Sequence, residues 1–389
     1  MFPFLAKNFL SALWGPFRLL ESRLFLILLG AMGCTILTWL LLPRLWDYMP
    51  HDRGKAFVKG SEKAKGKPTG AGFLTTIFFL FCAFFVMPFY WEYALIGLCL
   101  FGIMLTGYLD DRSTTDWGQL KKGLLDCAIA LLAAWVIGHW QGTQIWLPFY
   151  KGPLPGGAIQ LPLWLFVIGG AALLWVMINV VNCSDGVDGV AGSLALYGLF
   201  AMAVLLYGVM GHEKIAEYLL LPHIQNGASW ATLLFTAIGG LGAYLWYNAS
   251  PSQVLMGDAG SRAYGLLLGI AVLVSGNPFF FLVAAPILFV NGGAGLVKLI
   301  LLRTLKKFGW DTRPPLSIVV NPIHPENFAS PEDAAKQHAL VRFLHHYRFP
   351  VHDHCRKNLG WSDAQVLIRF MLLQTVLMPL FAILMIKLR

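Results

Sequence analysis

Charge is what this sequence has least of. Asp, Glu, Lys and Arg make up 13% of its 389 residues against 57% hydrophobic, and the mean hydropathy is +0.64. A soluble globule does not have that balance; an integral membrane protein does. Cysteine is scarce as well, with six residues, and Cys34, Cys82, Cys99 and Cys127 lie in apolar runs without metal-type spacing. Neither a disulfide framework nor a cysteine metal site is indicated. Cys183 and Cys355 stand in polar stretches but have no nearby base to make them nucleophiles. The stretch Met1–Glu21 lacks the small-residue cleavage site of a signal peptide; its Phe, Leu and Trp, interleaved with Lys7 and Arg18, suit a helix lying in the membrane interface. There is no internal repeat.

Apolar runs long enough to span, or nearly so, fall at about 24–43, 73–89, 92–109, 123–140, 160–181, 191–208, 229–247, 263–276, 278–302 and 365–386. They predict an all-α, polytopic membrane bundle of about ten transmembrane helices, because lipid offers no partner to open backbone groups. The chain, 1–389, is read as a single integral-membrane domain. Its net charge of +9 is distributed unevenly. Arg44, Arg53, Lys55, Lys59, Lys63, Lys65 and Lys67 follow the first run, and Arg303, Lys306, Lys307, Arg313, Lys336, Arg342, Arg348, Arg356 and Lys357 precede the last. Arg112, Lys121, Lys122 and Arg262 share that parity, whereas the opposite connections hold only Lys151 and Lys214. The positive-inside rule makes the basic side cytoplasmic and puts both termini outside, so no nucleic-acid partner is needed to explain the charge. On the poor side, apolar residues alternate about Pro155-Gly156-Gly157, which predicts a short outer β-hairpin. The cytoplasmic segment 303–364 is too polar to span. Pro314, Pro315, Pro322 and Pro325 make its first half irregular, and Ser330 to Leu344 reads as one capped amphipathic helix.

The carboxylates that remain are concentrated in three motifs, all on the basic side. Asn179-Val-Val-Asn182-Cys-Ser-Asp185-Gly186-Val-Asp188-Gly189 follows directly on an apolar run, at a depth where ionisable groups are functional suspects. If that stretch is helical, Asp185 and Asp188 share a face; the plain alternative is a polar turn between two helices. Gly107-Tyr-Leu-Asp110-Asp111-Arg112 ends another run, and its adjacent carboxylates allow one to ligate a metal while the other accepts a proton. In Met256-Gly-Asp258-Ala-Gly-Ser261-Arg262 the flanking glycines and the following helix offer close backbone approach and amide donors for phosphate. Lys122 and His352-Asp353-His354 lie on the same side. Carboxylates bind a nucleotide diphosphate only through a divalent cation, and Mg²⁺, which takes one or two carboxylates plus phosphate oxygens, suits the set. Metal-assisted phosphoryl transfer at a membrane surface is the chemistry indicated. A transporter is the competing class, but its carboxylates belong in helix centres rather than at helix ends.

These three motifs in this order resemble the polyprenyl-phosphate N-acetylhexosamine-1-phosphate transferases. Gly66-Lys-Pro-Thr-Gly-Ala-Gly72 and Gly360-Trp-Ser-Asp-Ala-Gln-Val-Leu-Ile-Arg-Phe370 extend the likeness nearly end to end, and with the His-x-His stretch they select the phospho-N-acetylmuramoyl-pentapeptide transferase branch. The resemblance implies transfer of phospho-MurNAc-pentapeptide from UDP-MurNAc-pentapeptide to undecaprenyl phosphate, forming lipid I and UMP in the bacterial cytoplasmic membrane, with Mg²⁺ at a cytoplasm-facing site and a possible homodimer. Carried over residue by residue, Asp258 matches the metal-binding Asp, with Asp111 as a second ligand, and Asp110 and Asp111 match the essential pair. Lys122 matches a lysine near the phosphates, and His352 and His354 a catalytic histidine motif. Asn182, Asp185, Gly186 and Asp188 match the nucleotide-sugar pocket, Asn248 its uridine end, and Lys67, Thr69 and Leu255 further substrate contacts. Departures from the pattern are Asp353 for the motif's central His, Leu255 for an aromatic, Asn291 near an expected Glu, and a longer inner segment in which Pro322-Ile-His324 imitates the His motif. A sister transferase using another UDP-N-acetylhexosamine, or an inactive scaffold, are the alternatives.

Overall fold

The computed structural model describes residues 1–52, 65–115, 117–154, 157–316 and 328–387. Among these the apolar runs become ten long helices: α1 Arg23–Leu45, α2 Ala71–Val86, α3 Trp91–Arg112, α4 Gln119–Trp140, α5 Leu163–Ser184, α6 Val190–Val204, α7 Gly227–Asn248, α8 Gly257–Val274, α9 Pro286–Lys307 and α10 Asp363–Lys387. Eight of them, all but α2 and α4, are long and apolar enough to cross a membrane, α6 because it continues as a π-helix to Val209. Helix α2 is apolar but shorter, and α4 carries Lys121, Lys122 and Asp126 in its first half. The fold is the expected membrane helix bundle.

Helix α8 is the centre of the bundle. Every residue from Ala259 to Val274 is buried, and α2, α3, α4, α5 and α6 all pack on it. In a bilayer, helices are drawn together by close packing of small residues rather than by water exclusion, and that is how α2 and α3 reach the first turn of α8. A Cβ at Gly72 would lie 2.0 Å from the Gly260 Cα, and one at Gly107 would lie 2.6 Å from the Ala259 Cα. Three glycines thus bring three backbones together beside Asp258. At the other end of α8, strands β1 Gln144–Trp146 and β2 Ala158–Gln160 pair antiparallel, Ile145 opposite Ile159. The Trp146 indole donates to the Ser275 carbonyl at 2.9 Å, which pins the hairpin to the bundle. Of the expected turn, Pro155 and Gly156 lie outside the described residues, as do Arg53, Lys55, Lys59, Lys63, Pro322, His324 and Pro325.

The structure corrects the sequence at three elements. The run 278–302 is not one helix: a short helix Phe280–Ala284 stops at Ala285, whose φ and ψ are −150° and 57°, and α9 restarts at Pro286 and extends to Lys307. Pro286 has no amide hydrogen to continue the ladder, but suits a first helical position. Ser330 does cap a helix, accepting from the Asp333 amide at 3.1 Å, but that helix ends at Lys336, and the His338 side chain caps a second one, Ala339–His346. Residues 2–21 are helical in short pieces rather than one length. All six cysteines are free, as expected of small apolar residues.

Candidate active site

Four helices deliver one side chain each to a single point at the end of the bundle opposite the hairpin. The Lys122 ammonium, in the first turn of α4, pairs with Asp110 at the end of α3 and with Asp258 Oδ2 at 3.0 Å in the first turn of α8. Asn182, near the end of α5, donates to Asp258 Oδ1 and to Ser261 Oγ, both at 3.0 Å. Asp258 is therefore held from two sides, its carboxylate fixed in direction. Asp110 is anchored too, accepting the Trp117 amide at 2.8 Å.

Asp111 is used differently from its neighbour. Both its oxygens accept amides of the first turn of α8, from Asp258 at 3.0 Å and from Ala259 at 3.1 Å. The amides that the sequence offers to a phosphate are thus occupied by a carboxylate of the protein, an anion at a helix N-terminus. Gly257, at φ 71°, is what admits it, since a Cβ there would stand 2.4 Å from Asp111 Oδ2.

The Asp185–Asp188 part of the motif is a turn, not a helical face. Helix α5 ends at Ser184, Asp185 is exposed beyond it, and α6 begins after Gly189 at φ 77°. Asp188 accepts the Ser252 amide at 3.0 Å, and Lys67 donates to the Ser252 hydroxyl at 2.9 Å. The Leu255 amide donates to the Pro68 carbonyl and the Thr69 amide to Pro50, so the loops 65–70, 185–189 and 249–256 form one hydrogen-bonded wall. Asn248 is the brace of that wall. Its Oδ1 accepts the Gly189 amide and its Nδ2 donates to Val254, each at 2.8 Å, with the residue buried. The amide expected at the uridine end of a substrate is committed inside the protein.

A short helix, Val351–Lys357, carries the His motif against this turn. Asn291 Oδ1 accepts the His352 backbone amide at 2.9 Å and lies 3.2 Å from its Nδ1. An oxygen already accepting from one donor must accept from the other, so Nδ1 carries the proton and Nε2 keeps its lone pair. That Nε2 lies against Gly186, where a Cβ would come within 2.4 Å. Burial pushes the imidazole down from 6.5 to about 4, which leaves it neutral at neutral pH. Asp353, in the place of the central His, pairs with Lys357 at 3.1 Å one turn along. His354 instead lies near the Tyr347 ring, at 5.5 Å between centroids. Substituting Asn291→Asp sets a carboxylate against His352 and is expected to raise its pKa by about 1–3. In the variant, kcat/KM should therefore fall from neutral to mildly acidic pH, where the ring becomes protonated, and hold at mildly alkaline pH. A pH profile with an unmoved acidic limb would separate His352 from the reaction.

The donor chemistry fits a hard divalent cation. Asp110 and Asp258, both oxygen donors, converge on one cationic group, whereas Asp111 accepts one amide at each oxygen and keeps a lone pair on each. No cluster of three or more His, Cys, Asp or Glu side chains surrounds a common point among the described residues, so such an ion would complete its shell with phosphate oxygens and water. Sequence reasoning missed Asp126, which forms a buried ion pair with Arg262. A carboxylate inside an apolar run was the signal available.

Residues 93–276, from α3 to the end of α8, match the model of glycosyl transferase family 4. A phospho-N-acetylmuramoyl-pentapeptide-transferase of Treponema pallidum is 40% identical over 373 residues, covering 95% of this chain and 92% of the relative. Proteins of the same name from Helicobacter acinonychis and Borreliella afzelii are 27% and 25% identical, covering 97% and 91% of this chain and 99% and 91% of their own lengths. With the helix order, the converging aspartates and that identity along almost the whole chain, this protein belongs to the phospho-N-acetylmuramoyl-pentapeptide-transferase family.

Proposed function

We propose that the protein transfers phospho-MurNAc-pentapeptide from UDP-MurNAc-pentapeptide to undecaprenyl phosphate, yielding lipid I and UMP as a Mg²⁺-dependent step of peptidoglycan synthesis. One observation carries the reading: an ammonium shared by Asp110 and Asp258, closed by Asn182, at the end of a membrane bundle. An oxygen of the lipid phosphate forms a bond to the phosphorus that bears the sugar, the bond from that phosphorus to the oxygen bridging to the uridine phosphate breaks, and its electron pair leaves with UMP. Two anionic substrates must meet, so positive charge at the meeting point is the main requirement. Asp258 and Asp110 would hold a Mg²⁺ ion, which when bound would neutralise charge on the diphosphate as a Lewis acid. Lys122 adds a fixed positive charge, and Asn182 directs the Asp258 carboxylate. His352 offers a lone pair to a donor on the nucleotide sugar. Asp111, Asp188 and Asn248 act by holding α8 and the loop wall in place.

The basic ends Arg44, Lys67, Arg112, Lys121 and Arg356 gather at the same end as the site, which supports a cytoplasm-facing site with both termini outside. The test is transfer of radiolabel from UDP-MurNAc-pentapeptide into a polyprenyl-phosphate lipid fraction by the purified protein, with Mg²⁺ or a chelator, and with UDP-N-acetylglucosamine as parallel donor. Metal-dependent product from the muramoyl donor alone is the expected result. Product from the parallel donor instead would assign a sister reaction.

A further inference from the structure

Below the shared ammonium the same two helices make a second ionic contact. Asp126 follows Lys122 by four residues in α4, and Arg262 follows Asp258 by four in α8, so each sits one helical turn further into the bundle on the same face. Asp126 and Arg262 form an ion pair, each residue 2% exposed. Both helices start at the site end, so the contacts are two rungs of one ladder with opposite polarity: Lys122 with Asp258, then Asp126 with Arg262.

A buried ion pair is poor evidence for stability, since desolvation offsets most of its attraction, and setting a register is its best-attested use. Here the desolvation is incompletely offset, because Arg262 Nε and Nη1 are buried without a hydrogen-bond partner among the described residues. The alternation of sign is what the ladder adds. Sliding α4 by one turn along α8 would set Asp126 against Asp258, or Lys122 against Arg262, so neighbouring registers meet like charges in a low-dielectric interior. Apolar residues at 126 and 262 would fill the same space without distinguishing those registers.

We infer that Asp126 and Arg262 are positioning residues for the proposed transfer: they lock the register of α4 on α8 that places Lys122 against Asp258. The inference rests on that functional reading. Its test is the double substitution Asp126→Leu with Arg262→Leu in the full-length protein, measured for melting temperature, kcat and donor KM in the radiolabel assay. The expected result is a melting temperature at or above that of the wild type, a donor KM within about twofold, and a kcat reduced about tenfold or more. Arg262→Lys, which retains the charge, should recover most of that kcat. If the leucine pair does not fold, Asp126→Asn with Arg262→Gln reads the same split between kcat and KM. A folded double variant with wild-type kcat would overturn this inference alone. No transfer by the wild type from either donor would overturn the functional reading and this inference with it.

Discussion

Asp258→Asn is expected to eliminate transfer while leaving the bundle folded. The substitution preserves volume, and the amide oxygen can still accept from Asn182, so the first turn of α8 retains that contact and its Asp111 cap. What changes is the side facing Lys122, where an NH₂ replaces an anionic oxygen and meets an ammonium 3.0 Å away. Two donors then oppose each other, and the pair of carboxylates that suits a divalent cation is reduced to Asp110 alone. Losing a single preorganised electrostatic group at a reacting centre typically costs 10²–10³ in kcat. Here both the proposed cation ligand and one of the two partners of Lys122 are lost, so a fall of at least about 10³-fold is expected. The check is kcat in the lipid-transfer assay beside a melting curve. Residual activity within about tenfold of wild type would show that Asp258 is not a ligand of the reacting centre.

Asp111→Asn should cost both activity and stability, and in this it should differ from Asp110→Asn. Asp111 accepts two amides from the start of α8, and hydrogen bonds to charged groups contribute roughly 1.5–3 kcal/mol each. An Asn can accept only one of them and presents its NH₂ to the other, leaving a half-buried donor unpaired. A loss of about 3 kcal/mol follows from that bookkeeping, with a fall in kcat because the displaced turn carries Asp258. Asp110→Asn retains an acceptor for the Trp117 amide and loses mainly its attraction for Lys122. Its melting temperature should therefore stay near wild type while transfer falls. Equal melting temperatures for the two variants would contradict the division of labour between these adjacent carboxylates.

Much of the architecture was legible in the sequence because the bilayer permits so few solutions. The runs of apolar residues, the hairpin alternation, the cap at Ser330 and the unpaired cysteines are all local patterns, and local patterns survive into the structure. The interruption at Ala285-Pro286 is also local, but it was hidden by apolar residues on both sides that read as one run. The break at Gln337 was hidden because the capping signal says where a helix starts and not how far it goes.

At the site, residue types and spacing picked out Asp110, Asp111, Lys122, Asn182, Asp258 and His352 without any coordinates. A charged or amide group at the end of a membrane helix is costly enough to be conspicuous. Roles were a different matter. Adjacent in sequence, Asp110 and Asp111 differ only in which neighbour each meets: one faces the ammonium of α4, the other the open amides of α8. Asn248 has the residue type for recognition, yet the approach of Gly189 and Val254 makes it a brace. Asn291 shares nothing local with His352 and gains its part only because α9 passes behind the His helix. By itself, then, the sequence determined which segments must lie in the bilayer and which polar residues were too costly to be idle, since both follow from transfer energies that each residue carries with it. Which hydrogen-bond partner each of those residues meets was decided by the tertiary structure alone, because partners from four helices come within 3 Å only when the glycine contacts have set how closely, and at what register, the helices approach.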